Sequence, residues 1–227
     1  MNSILGIFAK EPRAGEVKSR LAAVIGNEPA ARLYDAFLRD LVARLPAIAA
    51  TCVLEYTPAT AHAYFAELCG GRFELEPQAA GDLGDRMAAF FGRRFAAGAQ
   101  RVVLIGSDSP DLPLDRIERA FALLADHDVV IGPSHDGGYY LIGLRRLIDE
   151  LFRNIAWSTH KVFARTMERI RPLGVTHAIL DAWYDVDLPD DLNRLRAEIE
   201  TARNAGRDSG VRHTEAVLRR IMPSMFD

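Results

Sequence analysis

Short, almost continuous apolar runs recur along the chain and alternate with segments whose apolar residues return every three or four positions. Such a run is typical of a strand that is buried on both faces of a parallel sheet covered by helices. The runs predict strands at residues 3–9, 51–56, 72–76, 101–105, 128–132 and 139–144, and a last extended segment at 175–186.

The intervening amphipathic segments predict helices. One of them begins with Asn27 as its cap and ends before Pro46. A second is capped by Asp82, and a third is capped by Ser158 or Thr159 and runs to about residue 171. Further helices are predicted at 61–68, 114–125, 190–202 and 211–222.

This alternation predicts an α/β fold, a three-layer α/β/α sandwich around a mainly parallel, mixed sheet. No repeat, low-complexity tract or linker divides the sequence, so we expect a single domain over residues 1–227. Right-handed crossovers bring the carboxyl ends of parallel strands to one edge of the sheet, which is where open α/β sheets bind ligands.

Composition and charge exclude several classes of protein. The net charge of −3 over 227 residues gives no global field that would attract nucleic acid or a membrane surface. The longest apolar stretches are about five to eight residues, too short to span a bilayer, and no signal peptide is recognisable. Cys52 and Cys69 are predicted to be buried packing residues in a reducing compartment, and we expect a cytoplasmic protein.

The loop that follows the first predicted strand carries four cations within eleven positions. Ammonium and guanidinium groups, together with backbone N–H groups near a helix start, are the donors that phosphates need. A glycine in this loop permits a tight turn, and the spacing is not that of a Walker loop. The alternative is an ordinary solvated loop. The candidate phosphate-binding residues are Lys10, Arg13, Gly15, Lys18 and Arg20.

Carboxylates follow two further predicted strands. Asp108 comes directly after the apolar run 101–105, beside Ser107, which we add to the phosphate-binding candidates. Asp185 and Asp187 alternate with Val186, so both acidic side chains project from one face of an extended segment. Mg²⁺ is typically held by one or two carboxylates, with phosphate oxygens and water as the remaining ligands.

Asp108 and Asp187 are therefore the candidate ligands of a shared Mg²⁺ or Mn²⁺ ion, and together with Lys18 they are the candidate catalytic residues. The alternatives are a turn before Pro110 and an acidic surface turn. For Asp111 we favour a structural role.

Three weaker segments complete the site. Gln78, Gly81 and Asp82 open a helix from a strand end, where Gln78 could bond a nucleobase edge. The turn after His135 could be only a hairpin, although its glycines allow a substrate to approach the backbone. His135 is a possible general base or only an exposed side chain. The candidate acceptor-binding residues are Asp136, Gly137, Gly138, Trp157, Ser158 and Thr159.

Six motifs occur in an order that makes the sequence familiar: FAKEPRAGEVKSRLA, GDLGDRM, IGSDSPDLP, GPSHDGGYYLIGL, IAWST and DVDLPDDL. Over residues 4–195 the chain resembles a bacterial family of uncharacterised glycosyltransferase-like proteins, some of them assigned to arsenosugar biosynthesis. That family has the nucleotide-diphospho-sugar transferase (GT-A) fold. The chain is more distantly similar to phospholactate guanylyltransferases and molybdenum cofactor guanylyltransferases.

The resemblance implies that the four cations of the first loop serve the phosphates, that Asp108 and Asp187 serve Mg²⁺ or Mn²⁺, and that Gln78, Gly81 and Asp82 lie near the nucleotide. The chain departs from these relatives in two places. It lacks the glycine-rich, Arg-Met-bearing first loop of many nucleotidyltransferases, and it has no Asp-x-Asp triplet at Asp108.

The sequence therefore predicts a metal-dependent transferase that acts on a nucleotide-activated substrate and a small-molecule acceptor. A glycosyltransferase using a nucleoside-diphospho sugar is the first expectation. The alternatives are a nucleotidyltransferase that releases pyrophosphate and a non-catalytic nucleotide sensor. The oligomeric state is left open.

Overall fold

A computed structural model describes residues 2–221 of the chain and contains one mixed sheet within them. Its order is β3-β2-β1-β4-β6-β5-β7. Strand β6 runs antiparallel to β4 and β5, and the other neighbours pair in parallel. The strands are β1 Ser3–Lys10, β2 Thr51–Thr57, β3 Glu74–Pro77, β4 Arg101–Ile105, β5 Val129–Pro133, β6 Tyr139–Leu144 and β7 His177–Ile179.

Helices cover both faces of this sheet. They are α1 Ser19–Ile25, α2 Asn27–Arg44, α3 His62–Cys69, α4 Leu83–Ala96, α5 Leu114–Leu123, α6 Val162–Leu173, α7 Pro189–Asn204 and α8 Arg212–Ile221. Apart from α1, each corresponds to a helix predicted from the sequence. The predicted last residue of the final helix, 222, lies outside the described residues.

Adjacent residues of the central strands pack into two separate hydrophobic cores, because successive side chains of a strand point to opposite faces of the sheet. Leu5 and Val103 face a core with α2, α5 and α7, whereas Ile4 and Val102 face a core with α4 and α6. All these strand residues are buried. The predicted three-layer α/β/α sandwich with a mainly parallel, mixed sheet is confirmed.

Two predicted helix caps are wrong. Asn27 is the first residue of α2, and the cap position is Gly26, whose φ of 89° lets the chain turn directly from α1 into α2. Helix α6 begins only at Val162, because Thr159 instead donates its hydroxyl to the carbonyl of Ala156 in a preceding turn. Helix α1 escaped prediction because its seven residues are too few to show a helical period.

The predicted cap of α4 is confirmed. The carboxylate of Asp82 accepts a hydrogen bond from the Asp85 amide at 3.0 Å, and the Asp85 carboxylate accepts one from the Asp82 amide at 3.1 Å. Each side chain therefore satisfies an amide at the start of the helix that has no partner within the helix.

The segment 175–186 is a strand only at β7, so the predicted extended segment was too long as a sheet strand. Beyond β7, isolated hydrogen bonds from Leu180 to Ile131 and from Trp183 to Pro133 keep the chain beside β5. These contacts guide the backbone to the sheet edge at the carboxyl ends of the parallel strands, which we call the rim.

The remaining expectations from composition concern the membrane and the cysteines. Among the described residues, no helix has the length and apolar character needed to cross a bilayer. Cys52 and Cys69 are buried free thiols, as predicted, and burial raises the pKa of each to about 11.

A candidate active site

The rim brings together loops that are far apart in the sequence. Parallel strands β1 and β4 end there, so the basic loop, residues 10–20, lies beside Asp108. The antiparallel strand β6 begins at the same edge, which places the β5–β6 hairpin next to Asp108 on the other side. The segment after β7 supplies the remaining carboxylates.

Lys18 and two carboxylates form the centre of the site. The Lys18 ammonium makes an ion pair with Asp108 and another, at 2.9 Å, with Asp187, which is 169 positions away in the chain. Only 2% of the Lys18 side chain is exposed, against 44% for Asp108 and 39% for Asp187. The predicted meeting of basic and acidic segments at one rim is therefore what the structure contains.

Aromatic rings form the floor beneath Lys18. Its ammonium lies 5.7 Å from the centroid of the Tyr34 ring and 5.4 Å from that of Phe37, within the range of cation–π attraction. The residue itself adopts a left-handed backbone conformation, with φ 49° and ψ 42°. This conformation lets the loop turn its lysine inward before α1 begins.

Backbone contacts fix the acidic side chains. The Val186 amide donates to the Asp108 carbonyl at 2.9 Å, and the Val186 side chain is fully buried in the core. Asp185 and Asp187 on either side of Val186 therefore both face the rim, as their alternation predicted. The Ser109 hydroxyl lies 2.8 Å from the Asp185 carboxylate. We call Asp108, Asp185 and Asp187 the acidic cluster.

Charge and burial in the cluster shift two pKa values. Burial disfavours the charged form of Lys18, but the carboxylates of Asp108 and Asp187 outweigh it and raise the pKa of the ammonium above its ordinary value. Burial, and secondly the charge of Asp108, raises the pKa of Asp185 to about 7. The single ammonium of Lys18 thus leaves the cluster with an excess of negative charge.

This excess makes the cluster suitable for a divalent cation. Within residues 2–221, no group of three or more His, Cys, Asp or Glu side chains is arranged to enclose a metal. Mg²⁺ needs no such group, because it is commonly held by one or two carboxylates with phosphate oxygens and water. Asp108 and Asp187 fit that donor set.

A cleft of about 970 Å³ opens over the acidic cluster. It is large enough for a small organic substrate and part of a nucleotide. The structure brings most of the predicted acceptor-binding residues into its wall. Predicted residues that line the cleft are Arg20, Asp108, Asp136, Gly138, Trp157, Ser158, Thr159 and Asp187.

Two other cations of the basic loop bond within the loop. The Lys10 ammonium donates to the Glu16 carbonyl at 2.8 Å, and Arg13 pairs with the Glu11 carboxylate at 2.7 Å. Neither lines the cleft. Gly15 turns the chain with a φ of 80°, which is the role its residue type predicted. Phosphate binding by these three residues stays a prediction.

The residues that were predicted to lie near the nucleotide already make hydrogen bonds within the protein. The Gln78 amide donates to the Glu55 carbonyl at 3.0 Å, and its oxygen accepts from Arg86 at 3.0 Å. Ser107 is buried, with its hydroxyl 2.6 Å from that of Tyr34. Asp82 is occupied as a helix cap, and the preceding Gly81 has a φ of 103°. These residues lie outside the cleft lining, and their nucleotide contacts stay predictions.

The β5–β6 hairpin is joined to the start of α6. Asp136 accepts hydrogen bonds from the Ser134 hydroxyl and from the Gly138 amide, and Gly137 has a φ of 92°. A Cβ at Gly137 would collide with the His160 carbonyl. The glycine is therefore needed both for the turn and for the close approach of the next segment.

His135 does not line the cleft. Its ring lies 3.4 Å from Arg194, and its amide donates to the Trp183 carbonyl. Of its two possible roles, the exposed side chain fits this placement and the general base does not.

Sequence reasoning missed four acidic or basic residues of the cleft lining as site candidates: Asp185, His160, Lys161 and Arg165. Asp185 was noticed in its motif but given no role. Lys161 and Arg165 are four positions apart and so share one face of the start of α6. That spacing was the available signal, but it does not reveal which cleft the face borders.

Proteins of known structure share this fold. A crystal structure from Desulfovibrio desulfuricans G20, assigned as a nucleotide-diphospho-sugar transferase, is 34% identical, with a TM-score of 0.87 over 97% of this chain and 99% of that chain. A cytidylyltransferase from Leptospira borgpetersenii is 12% identical, with a TM-score of 0.59 over 97% of this chain and 94% of that chain, and shows the fold alone.

The sheet order, the rim with its acidic cluster and these similarities define a transferase with the nucleotide-diphospho-sugar transferase fold. The chain belongs to the DUF2064 family, described as an uncharacterized protein conserved in bacteria, whose family pattern matches residues 41–159. It is also 31% identical to the 3-phospho-D-glycerate guanylyltransferase of Phenylobacterium zucineum (strain HLK1) over 195 residues, or 82% of this chain and 84% of that protein. The predicted family, fold and enzyme class are confirmed.

Proposed function

We propose that the protein is a metal-dependent nucleotidyltransferase that moves a nucleoside monophosphate, GMP by analogy with its 31% identical relative, from the triphosphate onto a small phosphorylated acceptor. This choice reverses the order of preference suggested by the sequence, where glycosyl transfer came first. Pyrophosphate is the second product.

The observation that carries the proposal is the contact of the Lys18 ammonium with both Asp108 and Asp187 at the floor of the cleft. Arg20 stands on the cleft wall near them without an ion-pair partner among residues 2–221. A polyphosphate above this floor would meet Arg20 directly, and a cation held on the exposed carboxylates would bridge the remaining charge.

The chemistry is an in-line displacement at the α-phosphorus. A phosphate oxygen of the acceptor forms a bond to that phosphorus while the bond to the bridging oxygen breaks, and pyrophosphate leaves with the electron pair. A phosphate monoester has a second pKa of about 6 and is already anionic at neutral pH. The attacking group therefore needs no general base, which suits a cleft that His135 does not line.

Asp108 and Asp187 would hold Mg²⁺ or Mn²⁺, which supplies charge neutralisation for the leaving pyrophosphate. Lys18 keeps the two carboxylates side by side, and Arg20 offers a forked donor to phosphate oxygens.

Glycosyl transfer is the second candidate, and the assignment of the 34% identical structure favours it. In that reaction an acceptor hydroxyl would attack a sugar carbon and would have to lose a proton. His160, Asp136 and Asp185 line the cleft and are groups that could accept that proton. A nucleotide sensor is the third candidate, and the excess charge of the acidic cluster argues against it.

Product analysis separates the three candidates. The protein is incubated with Mg²⁺, each of the four nucleoside triphosphates and a panel of phosphorylated acceptors, and in parallel with sugar nucleotides. Pyrophosphate released from GTP only when an acceptor phosphate is present is the expected result. Release of nucleoside diphosphate from a sugar nucleotide, with no pyrophosphate from any triphosphate, would replace this proposal with glycosyl transfer. Chelator-insensitive binding without either product would indicate the sensor.

A further inference from the structure

One wall of the cleft is lined by basic side chains. It is formed by the segment leading into α6, with His160, Lys161 and Arg165 in the lining, and we call these three residues the α6 wall. Lys161 is exposed and has no ion-pair partner within residues 2–221. Arg165 makes an exposed ion pair with Glu168 at 2.7 Å.

The backbone of α6 adds to this charge. The helix has twelve residues, its first turn contains no acidic residue, and no side chain caps it. Val162, its first residue, lines the cleft. The amino-terminal end of the helix therefore borders the cleft beside Lys161 and Arg165. Its Val162 and Phe163 amides already donate to the Thr159 and Gly137 carbonyls, so the helix contributes through its dipole, which favours negative charge there.

The position of the wall separates it from the groups that would hold the nucleotide. The basic loop follows β1, on one side of β4 in the sheet, whereas the α6 wall adjoins the β5–β6 hairpin on the other side. Asp108, at the end of β4, lies between them. A nucleotide whose phosphates lie at Asp108 and the basic loop leaves the α6 side of the cleft to the acceptor.

The wall is held in place before any ligand binds. The Phe163 amide donates to the Gly137 carbonyl at 2.9 Å, and the close approach of His160 to Gly137 leaves no room for a side chain there. Asp136 accepts hydrogen bonds from the Ser134 hydroxyl and the Gly138 amide, and within residues 2–221 it makes no ion pair with Lys161. The positive charge stays available to a ligand.

We propose that the α6 wall binds a second anionic group of the acceptor, at the end remote from the attacking phosphate, through Lys161 and Arg165. This inference rests on the proposed nucleotidyl transfer and names its substrate class: small molecules that carry a phosphate and a further anionic group such as a carboxylate. Acceptors with a neutral group at that end bind without these charge-assisted hydrogen bonds.

Two probes of nearly equal size test the class. 3-Phospho-D-glycerate carries a carboxylate where glycerol 3-phosphate carries a neutral hydroxymethyl group. With GTP and Mg²⁺, we expect kcat/KM for the carboxylate probe to exceed that for the neutral probe by about tenfold or more, the scale of one charge-assisted hydrogen bond. Equal values for the two probes would overturn the proposal.

Substitutions locate the binding group. Lys161→Gln and Arg165→Gln should each lower kcat/KM for the carboxylate probe by about tenfold and for the neutral probe by less than about threefold. Arg171→Gln is the matched control, because it removes the same charge from an exposed position at the far end of the same helix, away from the cleft. Equal losses for both probes, or no loss, would remove the α6 wall from acceptor recognition.

A binding measurement keeps this test separate from the reaction. Titration of each probe into the protein with Mg²⁺ and a non-hydrolysable GTP analogue, followed by calorimetry, reports affinity without turnover. If the wild type binds the carboxylate probe more tightly than the neutral probe and Lys161→Gln removes this difference, the result supports acceptor binding by the α6 wall. If no pyrophosphate forms in the same protein, only the proposed reaction fails. Binding of both probes with one affinity, in the wild type and the variant alike, contradicts the wall whatever the reaction.

Discussion

The basic loop and the α6 wall both present cations to the same rim, and they differ in the number of cations but not in the number that folding leaves without an ion pair or hydrogen bond among the described residues. The loop has four cations, and three of them are engaged by Glu11, by the Glu16 carbonyl or by the acidic cluster. The wall has two, Lys161 and Arg165, of which Arg165 pairs with Glu168 and the Lys161 ammonium has no ion pair within residues 2–221. The number of charges in a segment thus says less about ligand binding than the number of charges left unpaired by folding.

Asp108 lies between the two regions, and its loss should have the largest effect. Asp108→Asn keeps the shape of the side chain but removes a charge from the acidic cluster, so we expect turnover to fall by at least about a hundredfold. Turnover is measured as the steady-state rate of pyrophosphate release. Asp126→Asn, at an exposed position after α5, is the control. Turnover within a few-fold of wild type would place the reaction elsewhere.

Gly137→Ala tests whether the wall is held by the hairpin. The added methyl group would meet the His160 carbonyl at a positive φ, so we expect a loss of about 1–3 kcal/mol in the free energy of unfolding and a raised KM for the acceptor. Denaturant unfolding and acceptor kinetics measure the two effects. The control is Gly98→Ala, which has a similar φ of 86° but open space around it. If both variants lose stability equally and acceptor KM is unchanged, the contact does not position the wall.

Lys18→Met tests how the loop uses its buried cation. The variant leaves Asp108 and Asp187 without their counter-charge, so nucleotide affinity should fall about tenfold and become less sensitive to salt. Mn²⁺ affinity measured without nucleotide should rise, because no ammonium then competes for the carboxylates. Calorimetric titrations measure the nucleotide affinity and the Mn²⁺ affinity. If neither affinity changes, Lys18 has only a structural role.

Arg20→Gln and Arg13→Gln compare an unpaired with a paired cation of the same loop. Arg20 faces the cleft and has no ion pair among the residues that the structure describes, so its variant should weaken GTP binding about two- to fivefold, the scale of an exposed charge interaction. Arg13 is satisfied by Glu11, and its variant should change affinity by less than about twofold. The reverse ranking would show that ligand binding rearranges the loop.

Much of the fold could be predicted because it follows from local patterns. The run 102–105 is apolar, since β4 is buried on both faces from its second residue onward, and the carboxylate after it had to lie at the rim. Asp187 was found in the same way, because Val186 between two acidic residues marks one face as buried.

What escaped prediction depends on contacts between distant segments. The sequence identifies Lys18 as a loop cation, but its burial depends on Asp187, 169 positions away, and on the rings of α2 beneath it. The α6 wall was missed because helical periodicity predicts a charged face without predicting the cleft beside it. The start of α6 was misplaced because Thr159 closes a turn and does not cap the helix.

Val186 makes the geometry of the acidic cluster depend on the number of residues that follow β7. Its side chain is anchored in the core and its amide holds the Asp108 carbonyl, so the two neighbouring aspartates are oriented by a single buried methyl-bearing residue. Deleting one residue between Leu180 and Val186 would shift the alternation of side chains by one position. An aspartate would then occupy the buried apolar position of Val186, and the valine would face water. The stretch that follows β7 therefore tolerates changes in side-chain identity more readily than a change in its count of residues.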